Sequence, residues 1–210
     1  MASVFNIAVC ISGTGSNLAS IIEKQEQYGY EVKLVISNKK DASGLQYALQ
    51  NNIPVYSFNW DKSDDKIQHL QDVINQHSCQ LIVLAGFMKI LPEPFINAFN
   101  NRIINIHPSL LPKYPGLNTH QRVIDNKDKI HGATVHFVNA QLDAGKTISQ
   151  SIINVENITD AKLLAEKLLF REHSLLPRTI ALLAHNRVEW HGKDLFFEQK
   201  LLTQPIIFDD

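Results

Sequence analysis

Three stretches of the 210-residue chain gather residue types that can do chemistry. The first is Ile11-Ser12-Gly13-Thr14-Gly15-Ser16-Asn17, a glycine turn between an apolar run and a helical pattern. A turn of this kind presents backbone N–H groups at the positive end of a helix, which suits an anion such as phosphate. The spacing is not that of a triphosphate loop. It reads G-x-G-x-x-L, with Leu18 where a dinucleotide fingerprint has glycine. The next apolar run ends Ile36-Ser37-Asn38-Lys39, without the acidic residue that holds a ribose hydroxyl, so a phosphate monoester fits better than a dinucleotide. The competing reading is an ordinary strand–helix turn.

The second stretch is Asn105-Ile106-His107-Pro108-Ser109-Leu110-Leu111-Pro112. On a strand, Asn105 and His107 project to one face, and burying both is costly unless their donors and acceptors are satisfied. They are either ligand-facing groups at a strand end or a satisfied core pair. The third is Leu142-Asp143-Ala144-Gly145, a carboxylate in a turn, which by itself is an ordinary surface feature. Phe87-Met88-Lys89-Ile90-Leu91-Pro92 either lines an apolar pocket or packs in the core. The histidines other than His107 show no H-x-x-x-H helix and no cysteine partner, so no zinc site is expected. His131 and His136 fit a substrate contact or plain strand positions equally.

Positioning these groups requires a frame, and the first half of the chain supplies its rhythm. Val4 to Ile11, Glu31 to Ser37, Pro54 to Phe58 and Gln80 to Ala85 are strand-like runs. Helical patterns at Asn17 to Gln27, from Ala42, and at Asp61 to His77 alternate with them. The expected fold is therefore α/β: a mostly parallel, twisted sheet with helices on both faces. Arg102 to His107 is a further strand that stops at Pro108, and the prolines at 108, 112 and 115 make 108–116 an ordered loop. A short helix from Asn118 to Asn126, strands around 133–138 and 147–155, and a long helix from Asp160 to Ala184 follow. Pro177 is expected to kink or divide that helix, and 189–208 reads as a terminal hairpin and tail.

With 20 basic and 21 acidic side chains the net charge is −1, which argues against a general nucleic-acid binder. At roughly 150 residues per domain, and with no repeat or linker, residues 1–210 read as one domain. Cys10 and Cys79 belong to no C-x-x-C pair, so reduced thiols in a cytoplasmic protein are expected. The start lacks a basic leader and no run approaches the length of a membrane span, so neither a signal peptide nor a membrane partner is expected.

Taken together, the glycine turn, Leu84-Ala85-Gly86-Phe87-Met88-Lys89-Ile90-Leu91, Asn105 to Gly116 and His131-Gly132-Ala133-Thr134-Val135-His136-Phe137 closely resemble the folate-dependent formyltransferases. The S-G-x-G-S-N loop narrows the likeness to the phosphoribosylglycinamide formyltransferase family, over about residues 4–190. The resemblance implies a Rossmann-like formyltransferase fold with a nucleotide-phosphate half at about 1–100, a catalytic and folate half at about 101–190, and a tail at 191–210. It implies transfer of a formyl group from 10-formyltetrahydrofolate, a co-substrate, to the amine of glycinamide ribonucleotide in purine biosynthesis, without metal. Carried over by position, Asn105, His107 and Asp143 would be the catalytic trio. Gly13, Thr14, Gly15, Ser16 and Asn17 would hold the ribose phosphate, and Glu172 the glycinamide nucleotide. Phe87, Met88, Lys89, Ile90 and Leu91, with Leu142, would hold the folate. The implied partners are small molecules, with no nucleic acid or membrane, and the enzyme would be a cytoplasmic monomer or homodimer.

Two positions depart from the family pattern. Lys89 stands where arginine is usual, keeping charge but losing the planar fork, and Asp143-Ala144-Gly145-Lys146 replaces a more usual Asp-Gly-Gly-Pro. The alternatives are formyltetrahydrofolate hydrolase, or another formyltetrahydrofolate-dependent formyltransferase such as the methionyl-tRNA enzyme. Each of these two relatives usually carries an added domain, for which the expected start at residue 4 and the short tail leave no room. A non-catalytic nucleotide-binding module would keep the glycine turn but have no need of Asn105, His107 and Asp143.

Overall fold

In a computed structural model the described residues are 4–58 and 64–209. Residues 1–3 of the expected leaderless start, and 61–63 of the third expected helix, lie outside them. The chain divides into two compact units, one ending at Asn105 and the other beginning at Ile106.

In the first unit, β1 (Phe5–Ile11), β2 (Tyr30–Ser37), β3 (Val55–Ser57), β4 (Leu81–Leu84) and β5 (Ile103–His107) take the order β5-β4-β1-β2-β3, every pair parallel. β5 runs two residues beyond the unit boundary. The apolar runs explain the parallel sheet: all four residues of β4 and the last five of β1 are buried, as strands covered on both faces require. The connecting helices are α1 (Ser16–Tyr28), α2 (Leu45–Gln50), α3 (Asp64–Gln76) and α4 (Glu93–Ala98). α1 buries Leu18, Ile21 and Ile22 and stops at Gly29, whose left-handed backbone turns its N–H onto the Gln25 carbonyl. α4 is one short helix that the sequence pattern did not signal; Pro94 sits in its first turn and Phe95 and Ile96 anchor it.

The second unit contains α5 (Thr119–Asp125), the antiparallel pair β6 (Ile130–Phe137) and β7 (Thr147–Asn154), and α6 (Ala161–Ala184). Asp160 caps α6 by accepting from the N–H groups of Lys162 and Leu163. Of the two outcomes expected of Pro177, a kink or a division, the second does not occur: α6 runs on through it. The buried face of Leu164, Leu168, Leu175, Leu176 and Ile180 continues through it and holds the helix despite the missing N–H. The expected terminal hairpin is β8 (Val188–His191) and β9 (Asp194–Phe197), extended by β10 (Lys200–Leu201) into a small antiparallel sheet. β11 (Ile206–Ile207) then pairs in parallel with β7. The fold is α/β, mostly parallel, with helices joining the strands.

Both cysteines are buried free thiols. Burial raises the pKa of each, that of Cys79 to about 11, so neither is a thiolate at neutral pH.

Candidate functional site

In the first unit the strand order reverses between β4 and β1, and open α/β sheets bind ligands outside the carboxyl ends of strands at such a point. The glycine turn follows β1, and residues 87–91 follow β4. Asn105 pairs in register with Leu84, at the carboxyl end of β4. The sheet therefore brings three of the stretches singled out from sequence to one edge. Gly15 takes a left-handed conformation, φ 71°, and caps α1 without a side-chain hydrogen bond. Ser16 and Asn17 begin the helix behind it. Thr14 is exposed and Asn17 buried.

A side chain at Gly15 has nowhere to go, because a Cβ there would lie 2.7 Å from the Gly44 Cα. Gly44 N–H in turn donates to the Gly13 carbonyl at 3.0 Å. Gly15→Ala is thus expected to lower the melting temperature by several degrees, since left-handed backbone alone costs about 1–2 kcal/mol. It should also raise the Kd of a nucleotide monophosphate ligand more than tenfold in calorimetric titration. Unchanged affinity would show that the turn does not hold the phosphate.

After β4 the chain turns at Gly86, φ 74°. The Phe87 and Leu91 side chains are buried, whereas Met88 and Ile90 are 69% and 66% exposed and Lys89 is exposed too. The stretch is thus half core and half accessible apolar surface, combining the two readings drawn from its sequence.

In the second unit His107 and Asp143 meet. His107 Nδ1 lies 3.4 Å from Asp143 Oδ2, with both side chains over nine-tenths buried. His107 Nε2 lies 2.9 Å from the Tyr114 carbonyl. Each ring nitrogen thus faces an oxygen acceptor, and an imidazolium satisfies both. Asp143 Oδ2 also accepts from the Gly116 N–H at 2.8 Å, and His136 Nε2 is 3.7 Å from its Oδ1. Asp143 itself has φ 50°, a left-handed conformation that aspartate tolerates better than most residues. His136 Nδ1 sits 2.8 Å from the Phe137 carbonyl, and burial is the main cause that lowers the His136 pKa. Of these neighbours the sequence pointed to His136 only as an open alternative. Tyr114 and Gly116 contribute backbone groups, for which residue types give no signal.

The loop carrying Tyr114 is fixed from behind by a buried network. Thr134 Oγ1 accepts from the Leu111 N–H at 3.1 Å and donates to the Ser109 carbonyl at 2.6 Å. Gln150 Nε2 donates both to the Leu111 carbonyl and to Thr134 Oγ1, at 3.0 Å each. On the Asp143 side, Gly145 passes so close to β6 that a Cβ would fall 1.7 Å from the Phe137 carbonyl oxygen. Lys146 follows, paired with Asp194 at 3.2 Å and 6.0 Å above the Trp190 ring. Leu142 is exposed, and Glu172 lies on the buried face of α6.

His131, buried on β6, stands 3.0 Å from His120 Nδ1 through its Nε2. Burial, reinforced by the His120 and His107 charges and opposed by Asp128, pushes its pKa down to about 4. As pH falls below the ordinary histidine value the unfolded chain takes a proton that the folded chain refuses. The His131 contribution is therefore intact above pH ~6.5 and lost progressively towards pH ~4. Urea unfolding midpoints should drop across that window, and His131→Gln should flatten the drop. An equally steep drop in the variant would remove His131 as its source.

Among the described residues no group of three or more His, Cys, Asp or Glu side chains could hold a metal ion, and no helix is long and apolar enough to cross a membrane. The sequence profile described as formyl transferase matches residues 5–180. The chain belongs to the formyl transferase family. It is similar along its length to the phosphoribosylglycinamide formyltransferase of Escherichia coli (strain K12), 38% identical over 98% of this chain and 100% of that protein. The Haemophilus influenzae enzyme of the same name is 38% identical over 94% of this chain and 96% of its own. Among solved structures, the phosphoribosylglycinamide formyltransferase of Coxiella burnetii superposes with a TM-score of 0.92 at 37% identity, covering 99% of this chain and 100% of that one. In this formyl transferase the Asp-Ala-Gly-Lys departure leaves an ordered turn. Ala144 N–H donates to the Gln141 carbonyl at 3.4 Å, and the Ala144 carbonyl accepts from Asn139 Nδ2 at 3.3 Å.

Proposed function

We propose that this formyl transferase moves the formyl group of 10-formyltetrahydrofolate onto the primary amine of glycinamide ribonucleotide. The observation that carries the reading is the buried His107–Asp143 pair, held by Gly116 N–H and the Tyr114 carbonyl in a chain of this family. Relatives matched from end to end carry the name phosphoribosylglycinamide formyltransferase.

The amine nitrogen attacks the formyl carbon, and the carbonyl oxygen takes up the electron pair. His107 Nε2–H is committed to the Tyr114 carbonyl, so Nδ1–H, whose present partner lies 3.4 Å away, is the donor free for that oxygen. The Asn105 amide supplies a second donor. In comparable sites one such donor contributes about 2.7–4 kcal/mol. Asp143 takes the proton that the attacking amine must lose and returns one to N10 of the folate as the C–N10 bond breaks. The products are the N-formylated nucleotide and tetrahydrofolate, with no covalent enzyme intermediate.

Gly13, Thr14, Gly15, Ser16 and Asn17 hold the ribose phosphate at the amino end of α1, which fixes an anion without a basic field in a chain of net charge −1. Glu172 faces the glycinamide. Phe87, Met88, Lys89, Ile90 and Leu91, with Leu142, take the folate, Met88, Lys89, Ile90 and Leu142 being the exposed side chains among them. The buried thiols Cys10 and Cys79 suit the reducing cytoplasm. A spectrophotometric assay with 10-formyltetrahydrofolate, with and without glycinamide ribonucleotide, tests the reading. Folate release that requires the nucleotide is expected; release without it would indicate a hydrolase.

A further inference from the structure

Ser12 directly follows β1 and opens the glycine turn, and its side chain is buried. Its hydroxyl donates to Asn38 Oδ1 at 2.5 Å and accepts from the Met88 backbone N–H at 2.8 Å. These partners come from the segments that follow the strands on either side of β1. Asn38 directly follows β2, and Met88 lies four residues past β4. A single hydroxyl therefore joins three carboxyl-end loops at the place where the strand order reverses. The side chain of Asn38 is buried as well, so its carbonyl oxygen is left without a ready water partner when the hydroxyl is removed.

We infer that Ser12 is a positioning residue that sets the glycine turn and the Met88 segment at a fixed separation, and so governs the binding of both ligands together. The inference rests on the proposed assignment of the turn to phosphate and of residues 87–91 to folate. Ser12 itself does not touch the reacting atoms. Its proton is fixed by the Asn38 carbonyl oxygen, which leaves a lone pair aimed at Met88 N–H. Without it, the Met88 N–H and the Asn38 carbonyl lose their partner together, and the two loops lose their common tie. The Ala85 N–H bond to the Cys10 carbonyl, 2.9 Å, remains but stops three residues short of Met88.

Steady-state kinetics of Ser12→Ala, Asn38→Ala and the double variant test this. In Ser12→Ala the KM for glycinamide ribonucleotide and that for 10-formyltetrahydrofolate should both rise about fivefold to tenfold, with kcat within about twofold of the parent. The double variant should be no worse than Ser12→Ala, because both substitutions break one linked unit. Ser12→Cys, which keeps the volume and weakens the bonds, should fall between parent and Ser12→Ala, with an unchanged melting temperature as the check on folding. A rise in one KM alone, a fall in kcat with both KM values unmoved, or multiplicative effects in the double variant would overturn the inference. Asn17→Ala and Lys89→Ala report on the underlying assignment. If neither shifts its ligand's KM, the loops are wrongly assigned and the inference goes with them. If both do and Ser12→Ala shifts neither, the inference alone is overturned.

Discussion

Asp143→Asn is expected to lower kcat about a thousandfold, within the range of roughly 10² to 10⁴ that a positioned acid–base group supplies, while nucleotide affinity stays within a few-fold. The substitution is nearly isosteric. An asparagine oxygen can still accept from Gly116 N–H, where Asp143 Oδ2 now sits at 2.8 Å, so the turn should keep its shape. What disappears is the capacity to take a proton and the negative charge opposite His107 Nδ1. An asparagine amide that kept its oxygen on Gly116 would also leave His107 without a carboxylate to pair with. Single-turnover kinetics beside calorimetric nucleotide titration separates chemistry from binding. Turnover within tenfold of the parent would remove Asp143 from the mechanism.

The second large effect is expected at a residue with no functional group. In Gly145→Ala the added methyl would fall 1.7 Å from the Phe137 carbonyl oxygen, which is backbone at the carboxyl end of β6 and not a side chain that can swing aside. The same carbonyl faces His136 Nδ1 at 2.8 Å, and Phe137 N–H donates to the Lys146 carbonyl at 2.9 Å. The 142–146 turn must therefore move away from β6, and Asp143 moves with it. A misplacement on the order of 1 Å can cost a hundredfold in rate, so kcat should fall at least about a hundredfold. Overpacking of about 1–3 kcal/mol corresponds to a melting temperature lower by roughly 2–10 °C in a chain of this size. A variant with normal kcat would mean that the turn relaxes without carrying Asp143 along.

How far the sequence led can be judged from particular elements. β1 and β4 were readable because a strand buried on both faces leaves an unbroken apolar run, and α1 because Leu18, Ile21 and Ile22 recur at helical spacing. α4 and β11 were not, since six residues and two residues are too short to carry a period. β11 exists because β7 offers it an edge, which is a tertiary fact. Pro177 does not divide α6 because the penalty for proline is local while the apolar face that outweighs it spans the whole helix. At the site, the side chains of His107 and Asp143 were visible as types. The backbone donors and acceptors that orient them, Gly116 N–H and the Tyr114 carbonyl, are present at almost every residue and become informative only through the fold.

Ile206 and Ile207 form the outer strand beside β7, where Phe208 N–H donates to the Gln150 carbonyl at 3.0 Å and the Phe208 ring lies 4.5 Å beneath the Arg178 guanidinium. The side chain of that same Gln150 holds the Leu111 carbonyl. The carboxyl-terminal segment thus stands two hydrogen bonds from the loop that orients His107. For anyone producing this protein the practical meaning is direct: a proteolytic nick around Pro205, or a bulky group that displaces 206–208, is expected to loosen the 108–116 loop as well.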